Sequence, residues 1–599
     1  MFVSKVKLWN FRKYGRKGSI DTTCPHLEVP LNEGMNILIG ENDSGKSAII
    51  DAIKLVLKTH AYEWIRLEED DFYIHTDGTK ANELRIELEF SDITDQEAAN
   101  FIEWCGWREE DIPNEIGKLQ NKQQLVLILI YKAYYRENKI ISGDVRAGMD
   151  GEGLTLPSEV KELLKCTYLK PLRDADSELT ARKNSRLSQI LKEHKAFKKQ
   201  SLDKHDFEKH FSTASKNIRV DFENPEKPYN KEIKEVIEQF IKDFIDESYS
   251  VKFDLGDTEL ISILEKLSLG ISHSSNPGLG TMNRLFMAAE LLHLRKDNHS
   301  GLKLCMIEEL EAHLHPQAQL KIINRLKKEN IQFILTTHSP NITSQAHLRD
   351  IIICKNNKVY PLGEQYTKLD KNNYKYLERF LDVTKSNLFF SKGNIIVEGW
   401  SEEIILPILA QKLGYDLTKN EISIINVGST AYLHFAKIFL RADNEKMDVP
   451  VSIVTDLDNR PDDNGNFDQS ERNQLREESI NTLKKEFDKT KIELFTPEEW
   501  TLEWCLYKSC LKDLFKKAVK IIHSRTEGFK EGNDGLFEAT LIKKLKKTEK
   551  SALDKVAVAN EFSILLNDDS SVTSKKLETD EYLKYLVLAI KHVIPNVNQ

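Results

Sequence analysis

The 599-residue chain contains no CxxC pair, and its seven cysteines (Cys24, Cys105, Cys166, Cys305, Cys354, Cys505 and Cys510) are scattered singly. A zinc ribbon is thereby excluded, and the thiols read as the reduced cysteines of a cytosolic protein. Long apolar runs are also missing. The longest, Leu125 to Ile130, falls far short of the roughly 20 residues that span a bilayer. The opening segment MFVSKVKLWNFRKYG has no sustained apolar stretch and starts like a strand rather than a signal peptide. A soluble, cytoplasmic protein that does not engage membranes is expected. No collagen-like, mucin-like or prion-like tract occurs, and nothing recurs at solenoid periods. A basic excess is absent too: 95 acidic residues outnumber 86 basic ones, for a net charge of −9. A global positive balance would point directly to nucleic acid. Its absence neither supports nor excludes DNA, because local patches decide contact.

What is present is length and an ordinary apolar content. At roughly 100–200 residues per domain the chain predicts several domains, and a hydrophobic share of 40% suffices for ordinary cores. Residues 1–180 mix strand and helix patterns. Alternation in Glu83 to Ser91 predicts a half-exposed strand, and residues 121–135 predict another. Residues 181–255 turn charged and helical, broken at Asn224-Pro225 and Pro228. They read as a helical insertion suited to dimerisation or DNA contact. Its first part carries Arg182, Lys183, Arg186, Lys192, Lys195, Lys198 and Lys199 against the single acid Glu193. A solvated helix face and a DNA-contacting patch are equal readings of that run. Residues 256–385 return to α/β character, and a second α/β unit fills 386–599. Within it, 458–472 reads as a loop. The basic stretch with Lys516, Lys517, Lys520, Lys543, Lys544, Lys546 and Lys547 is placed to lie beside a DNA backbone.

The segment Gly40-Glu41-Asn42-Asp43-Ser44-Gly45-Lys46-Ser47 satisfies GxxxxGK[ST] in full. An apolar strand, Asn36 to Ile39, precedes it and a helix, Ser47 to Leu57, follows. In that context the backbone N–H groups cradle phosphate oxygens at a helix N-terminus. Gly40, Asn42 and Gly45 shape the loop, Lys46 reaches the β- and γ-phosphates and Ser47 ligates Mg²⁺. A bare Gly-rich turn is the bland alternative, and the flanking strand and helix argue against it. The apolar strand Leu304 to Ile307 ends in Glu308-Glu309, where one acid can hold Mg²⁺ and the next can orient a water. Alone, such a pair reads as solvated carboxylates. Phe333 to Thr337 is a further strand, and His338 at its end can donate toward a γ-phosphate. The order of the three elements favours an ATP site over three coincidences. Asn276-Pro277-Gly278-Leu279-Gly280 before a helix from Thr281 to Leu294 offers a second anion site.

A second constellation lies downstream. Asn394 to Val397 is an apolar strand ending in Glu398-Gly399, and a helix follows with Ser401 as its expected N-cap and Glu402 in its first turn. Pro407 should disturb that helix slightly. Val451 to Thr455 is another apolar strand, followed by Asp456-Leu457-Asp458, and period two puts both aspartates on one side. Carboxylates on neighbouring strand tips repel unless cations sit between them. Mg²⁺ or Mn²⁺ suits such all-oxygen donors, and two ions stabilise the attacking and leaving oxygens of phosphodiester cleavage. Either half alone occurs by chance. Two unrelated acidic loops remain the alternative.

The series GENDSGKS, IEELEAHLHP, LTTHSP, VEGWSEE and DLD resembles the OLD (overcoming lysogenisation defect) nuclease family over nearly the whole chain. The resemblance implies an ABC-type, SMC-like ATPase domain with a helical insertion, followed by a Toprim α/β domain. Residues 1–180 and 256–385 would form the ATPase and 386–599 the Toprim nuclease. Glu311 to Pro316 is the most distinctive local signature, Tyr168 to Arg173 looks like the family's central strand, and Leu310 stands where a proline is usual. The resemblance makes Glu503, in Thr501-Leu502-Glu503, a further metal ligand beside Glu398, Glu402, Asp456 and Asp458. It makes Lys555 the lysine that stabilises charge on the phosphate. Lysines nearby leave a plain surface lysine as the alternative. It also implies ATP and Mg²⁺ as cofactors, with Mn²⁺ able to substitute and two ions in the Toprim site. The expected partners are DNA, a second copy of the chain, and either a reverse transcriptase with its RNA–DNA product or a helicase-like protein in anti-phage defence. An ATP-dependent DNA clamp or sensor without nuclease activity is the competing function. A topoisomerase or primase ranks last, since no DNA-gate tyrosine or zinc module stands out.

Overall fold

The computed structural model describes residues 1–599 except 62–64, 114–118, 172–177, 198–203, 225, 227, 246–250, 254–258, 273–276, 295–300, 444, 458, 460, 462–466, 468–470, 489, 531–532, 547–551 and 595–599. Two compact units emerge. The first comprises Met1–Met35, Ser47–Ala318 and Leu326–Thr336; the second comprises Asn36–Lys46, Gln319–Arg325 and Thr337–Gln599.

In the first unit an antiparallel sheet contains β1 (Phe2–Trp9), β2 (Leu27–Pro30), β4 (Glu83–Ser91), β6 (Leu119–Arg136), β8 (Arg146–Ala147) and β9 (Leu154–Thr155). Its order is β2-β1-β4-β6-β8-β9, and β5 (Cys105–Pro113) and β7 (Lys139–Ser142) also pair with β6. The alternating charges of β4 predict one wet face, yet eight of its nine residues are buried. The charges are accommodated in pairs. Arg85 Nε donates to Glu87 Oε1 at 2.7 Å. Glu89 is flanked by Arg108 and by Lys7 at 3.7 Å. Buried charge is tolerated when it is paired, and periodicity alone does not reveal the partners.

The same unit carries parallel strands β10 (Thr167–Leu169), β11 (Leu304–Ile307) and β12 (Gln332–Thr337). β10 stands at an end of its sheet rather than at a centre. Helices Arg186–Glu193, Asp206–Glu223 and Pro228–Ile245 occupy the region expected to be a helical insertion. Arg186 does not belong to a solvated basic patch. It is 4% exposed and grips Glu290 with Nε and Nη2 at 2.6 and 2.8 Å. Lys198 and Lys199 lie outside the described residues. On the helix Pro228–Ile245, Tyr229, Ile233, Val236, Ile237 and Phe240 form an exposed apolar stripe.

In the second unit β3 (Met35–Ile39) pairs in parallel with β13 (Ile351–Lys355), which pairs antiparallel with β14 (Lys358–Pro361). Further along, β15 (Gly393–Val397), β16 (Ile422–Asn426), β17 (Val451–Val454) and β18 (Ile492–Phe495) form an all-parallel sheet in the order β16-β15-β17-β18. β15 and β17 are buried throughout, the usual state of parallel strands covered on both faces. Helix Lys584–Val593 packs on β15, β17 and β18, while helix Trp400–Lys412 packs on β16 and along helix Lys555–Asp568. This packing brings the first turns of several helices to the sheet. Ligand-binding crevices of open α/β sheets lie outside the carboxyl ends of the strands.

Candidate active site

In the loop Gly40–Ser47, Lys46 is 6% exposed and its Nζ donates to the carbonyls of Gly40 and Glu41 at 2.9 and 2.7 Å. Only glycine suits position 40. Its φ is +149°, and a Cβ there would stand 2.3 Å from the Cys354 carbonyl oxygen. Gly45 also has positive φ, while Asn42 is exposed. In the first unit, Ser47 Oγ donates to Glu308 Oε2 at 3.3 Å, and the Tyr168 hydroxyl donates to Oε1 at 3.4 Å. Burial pushes the Glu308 carboxyl above its ordinary range, helped by nearby Asp51. Glu309 is exposed at φ +45°, with its N–H donating to Thr336 Oγ1. Leu310 is fully buried and its N–H donates to the Thr336 carbonyl at 3.4 Å, a bond that proline could not make. His338 is half-buried just beyond β12. The helix expected from Thr281 begins at Leu279 and includes Gly280. A Cβ on Gly280 would meet the His313 carbonyl oxygen at 2.5 Å, so this glycine serves a close backbone approach.

The second constellation is gathered at the carboxyl ends of β15 and β17. Val397 pairs with Val454, which puts Glu398 and Thr455 side by side, and Thr455 Oγ1 donates to Glu398 Oε1. Gly399, not Ser401, caps the helix Trp400–Lys412. Ser401 instead lies inside the first turn and donates to Glu503 Oε1 at 3.4 Å. Pro407 sits within the helix, which continues to Lys412. A Cβ on Gly399 would come within 3.2 Å of Glu402 Oε2, so the glycine leaves room for that carboxylate. Asp456 Oδ1 accepts the N–H of Leu502, the first residue of helix Leu502–Lys508, and Glu503 follows in that first turn. Lys555, first residue of helix Lys555–Asp568, sets its Nζ 2.9 Å from Glu503 Oε2. Asp458 lies outside the described residues.

The electrostatics describe one crowded acidic site. Burial, then the field of Glu503, pushes Glu402 up to about 7. Burial also lifts Asp456 well above the ordinary carboxylate range, with Glu402, Glu503 and Glu398 adding to it against the pull of Lys555. Burial opposes the charge of Lys555, but Glu503 and Asp456 outweigh it and hold the ammonium raised. One ammonium therefore does not balance the negative charge. All the acidic donors are oxygens, which suits a hard divalent cation, although among the described residues no three acidic side chains converge on a single point. Tyr585 is a component that sequence reading missed. It is 7% exposed, its hydroxyl has no hydrogen-bond partner among the described residues, and burial with Cys505 and Asp456 nearby pushes it well above its ordinary value. No motif marks it, because it arrives on the distant helix Lys584–Val593.

Family models match two parts of the chain. An AAA ATPase domain matches residues 1–162 and 157–343, and an overcoming lysogenization defect protein-like TOPRIM domain matches 389–458. The OLD nuclease of Thermus scotoductus is 23% identical over 475 residues, covering 75% of this chain and 83% of that protein. Endonuclease GajA of Bacillus cereus is 27% identical over 220 residues, 31% of each chain, so the match spans under a third of that relative. The "Retron Ec83 probable ATPase" of Escherichia coli is 28% identical over 137 residues, covering 22% of this chain and 25% of that protein.

Proposed function

We propose that this member of the AAA ATPase domain family, whose chain also matches an OLD-like TOPRIM domain further along, is an OLD-type nuclease: a Mg²⁺-dependent DNA endonuclease controlled by ATP. The observation that carries the reading is the Lys555 ammonium 2.9 Å from Glu503, on the helix whose first N–H donates to Asp456 at the end of a parallel strand. Glu398, Glu402, Asp456, Asp458 and Glu503 hold one or two Mg²⁺ ions, with Mn²⁺ as a substitute. Bound there, such ions supply the charge that polarises a phosphodiester and acidifies the attacking water. The ammonium of Lys555 lies on the same site and offsets charge that develops on the phosphate.

ATP is held by the loop Gly40, Asn42, Gly45 and Lys46, with Ser47 and Glu308 on its Mg²⁺ and Glu309 and His338 supporting hydrolysis. The hydrogen bond from Ser47 to Glu308 supports that assignment. Residues 1–180 and 256–385 make the ATPase, 181–255 the dimerising insertion, and 386–599 the nuclease. The apolar stripe from Tyr229 to Phe240 supports a homodimer or higher assembly. The protein works in the cytoplasm in anti-phage defence, alongside a reverse transcriptase with its RNA–DNA product or a helicase-like partner. The relative named as a retron's probable ATPase supports the first of these partners.

A DNA clamp or sensor is the second reading, and it uses the same acids without cleavage. Asp456→Ala separates the two. The endonuclease reading expects DNA binding to persist while protection of a host culture from phage is lost. The clamp reading expects both to persist.

A further inference from the structure

Trp400 is 61% exposed, an unusual position for so large an apolar surface. It is the first residue of the helix Trp400–Lys412 and stands between Glu398 and Glu402 in the chain, so at most about 7 Å of backbone separates it from either. Its ring lines a cavity of about 260 Å³ at the carboxyl end of β16. That is smaller than the roughly 300–1,000 Å³ of a drug-sized ligand site. Asp382, Lys385, Glu403 and Asn426 supply the polar walls. Asn426 pairs with Val397 across the sheet and donates to Glu403 Oε2 at 2.8 Å. Lys385 is already tied to Asp382.

These walls carry two carboxylates against one paired ammonium, which disfavours a phosphate. They offer acceptors to an N–H edge, and the indole offers a stacking face. We propose that Trp400 is the stacking platform for one unpaired nucleobase of the DNA strand at the acidic site, with the base edge donating to the Glu403 side of the cavity. The inference rests on the nuclease reading and adds to it a preference for single-stranded or locally opened DNA. Aromatic side chains hold bases this way because every base has a π-face. A base inside a duplex stack cannot reach such a cavity without being extruded.

Two readouts on the full chain test it. The first is cleavage of a defined oligonucleotide, single-stranded and as its duplex, by wild type, Trp400→Ala and Trp400→Phe in Mg²⁺. Trp400→Ala is expected to raise KM for the single strand on the order of tenfold, and Trp400→Phe to restore most of it, with ATP turnover and solution mass unchanged. The second is quenching of a 2-aminopurine oligonucleotide without metal, present in wild type and lost in Trp400→Ala. An unchanged KM in Trp400→Ala, or a loss of oligomer mass in that variant, overturns the stacking role. If wild type cuts nothing in Mg²⁺ or Mn²⁺, the nuclease reading fails separately. The quenching then decides the base contact alone, and its absence overturns it.

Discussion

The Lys555 ammonium and the Glu503 carboxylate meet at 2.9 Å from the first turns of two different helices, Lys555–Asp568 and Leu502–Lys508. Glu503 is 4% exposed at its side chain and Lys555 is 42% exposed. The pair therefore joins a buried charge to one that still reaches solvent, and removing either partner has unequal consequences.

Lys555→Ala leaves Glu503 buried without its cation. Breaking a fully buried pair costs about 3–5 kcal/mol, and solvent access at Lys555 reduces that to roughly 1–3 kcal/mol. Urea unfolding should show this loss, and Glu503→Gln added to Lys555→Ala should recover most of it. Lys555→Arg should keep the fold and lose most cleavage, because a guanidinium does not replace an ammonium in a fitted site.

Stability without metal should fall as pH rises. Glu402 sits at about 7 in the folded protein, above its ordinary 4.5, so the folded state holds the proton more tightly than the unfolded chain. Its contribution is complete below pH 4.5 and is lost as pH rises through 7, an effect on the order of 3 kcal/mol, of which about 2 kcal/mol falls between pH 5.5 and 8. In EDTA, Tm should be lower at pH 8 than at pH 5.5. Glu402→Gln should flatten this trend, and Mg²⁺ should raise Tm most at the higher pH.

Lys46 Nζ is held by the carbonyls of Gly40 and Glu41, and the proposed ATP site has it meet a phosphate. Lys46→Ala should lower ATP turnover by about a hundredfold or more with an unchanged circular dichroism spectrum. Phosphate release measures the first effect.

Gly40→Ala forces a side chain into positive φ and against the Cys354 carbonyl. Roughly 2 kcal/mol or more of stability should be lost, together with nucleotide binding. Gly34→Ala makes the control, since nothing lies within 4 Å of a Cβ there.

The parts of the molecule legible in the sequence are the local ones. Strand, loop and helix around Lys46 follow each other within a few residues, and so do β15, Glu398 and Glu402. Period and turn chemistry reach that far. Contacts between distant segments were not legible. Alternation in β4 predicted an exposed face, but Glu89 finds its cations on other strands. Arg186 looked like part of a basic surface until Glu290 took it. Ser401 has the residue type of an N-cap, yet Gly399 takes that place and Ser401 turns to Glu503. Tyr585 belongs to the acidic site only because a helix near the end of the chain packs across β15 and β17.

The measurement that tests the central claim most directly is cleavage of supercoiled plasmid by the purified full chain in Mg²⁺ or Mn²⁺, with and without ATP, beside Asp456→Ala and Lys46→Ala. The account predicts metal-dependent nicking or linearisation that disappears in Asp456→Ala and whose response to ATP changes in Lys46→Ala. Cleavage by Asp456→Ala at the wild-type rate, or no cleavage in either metal while ATP turnover is intact, would contradict it.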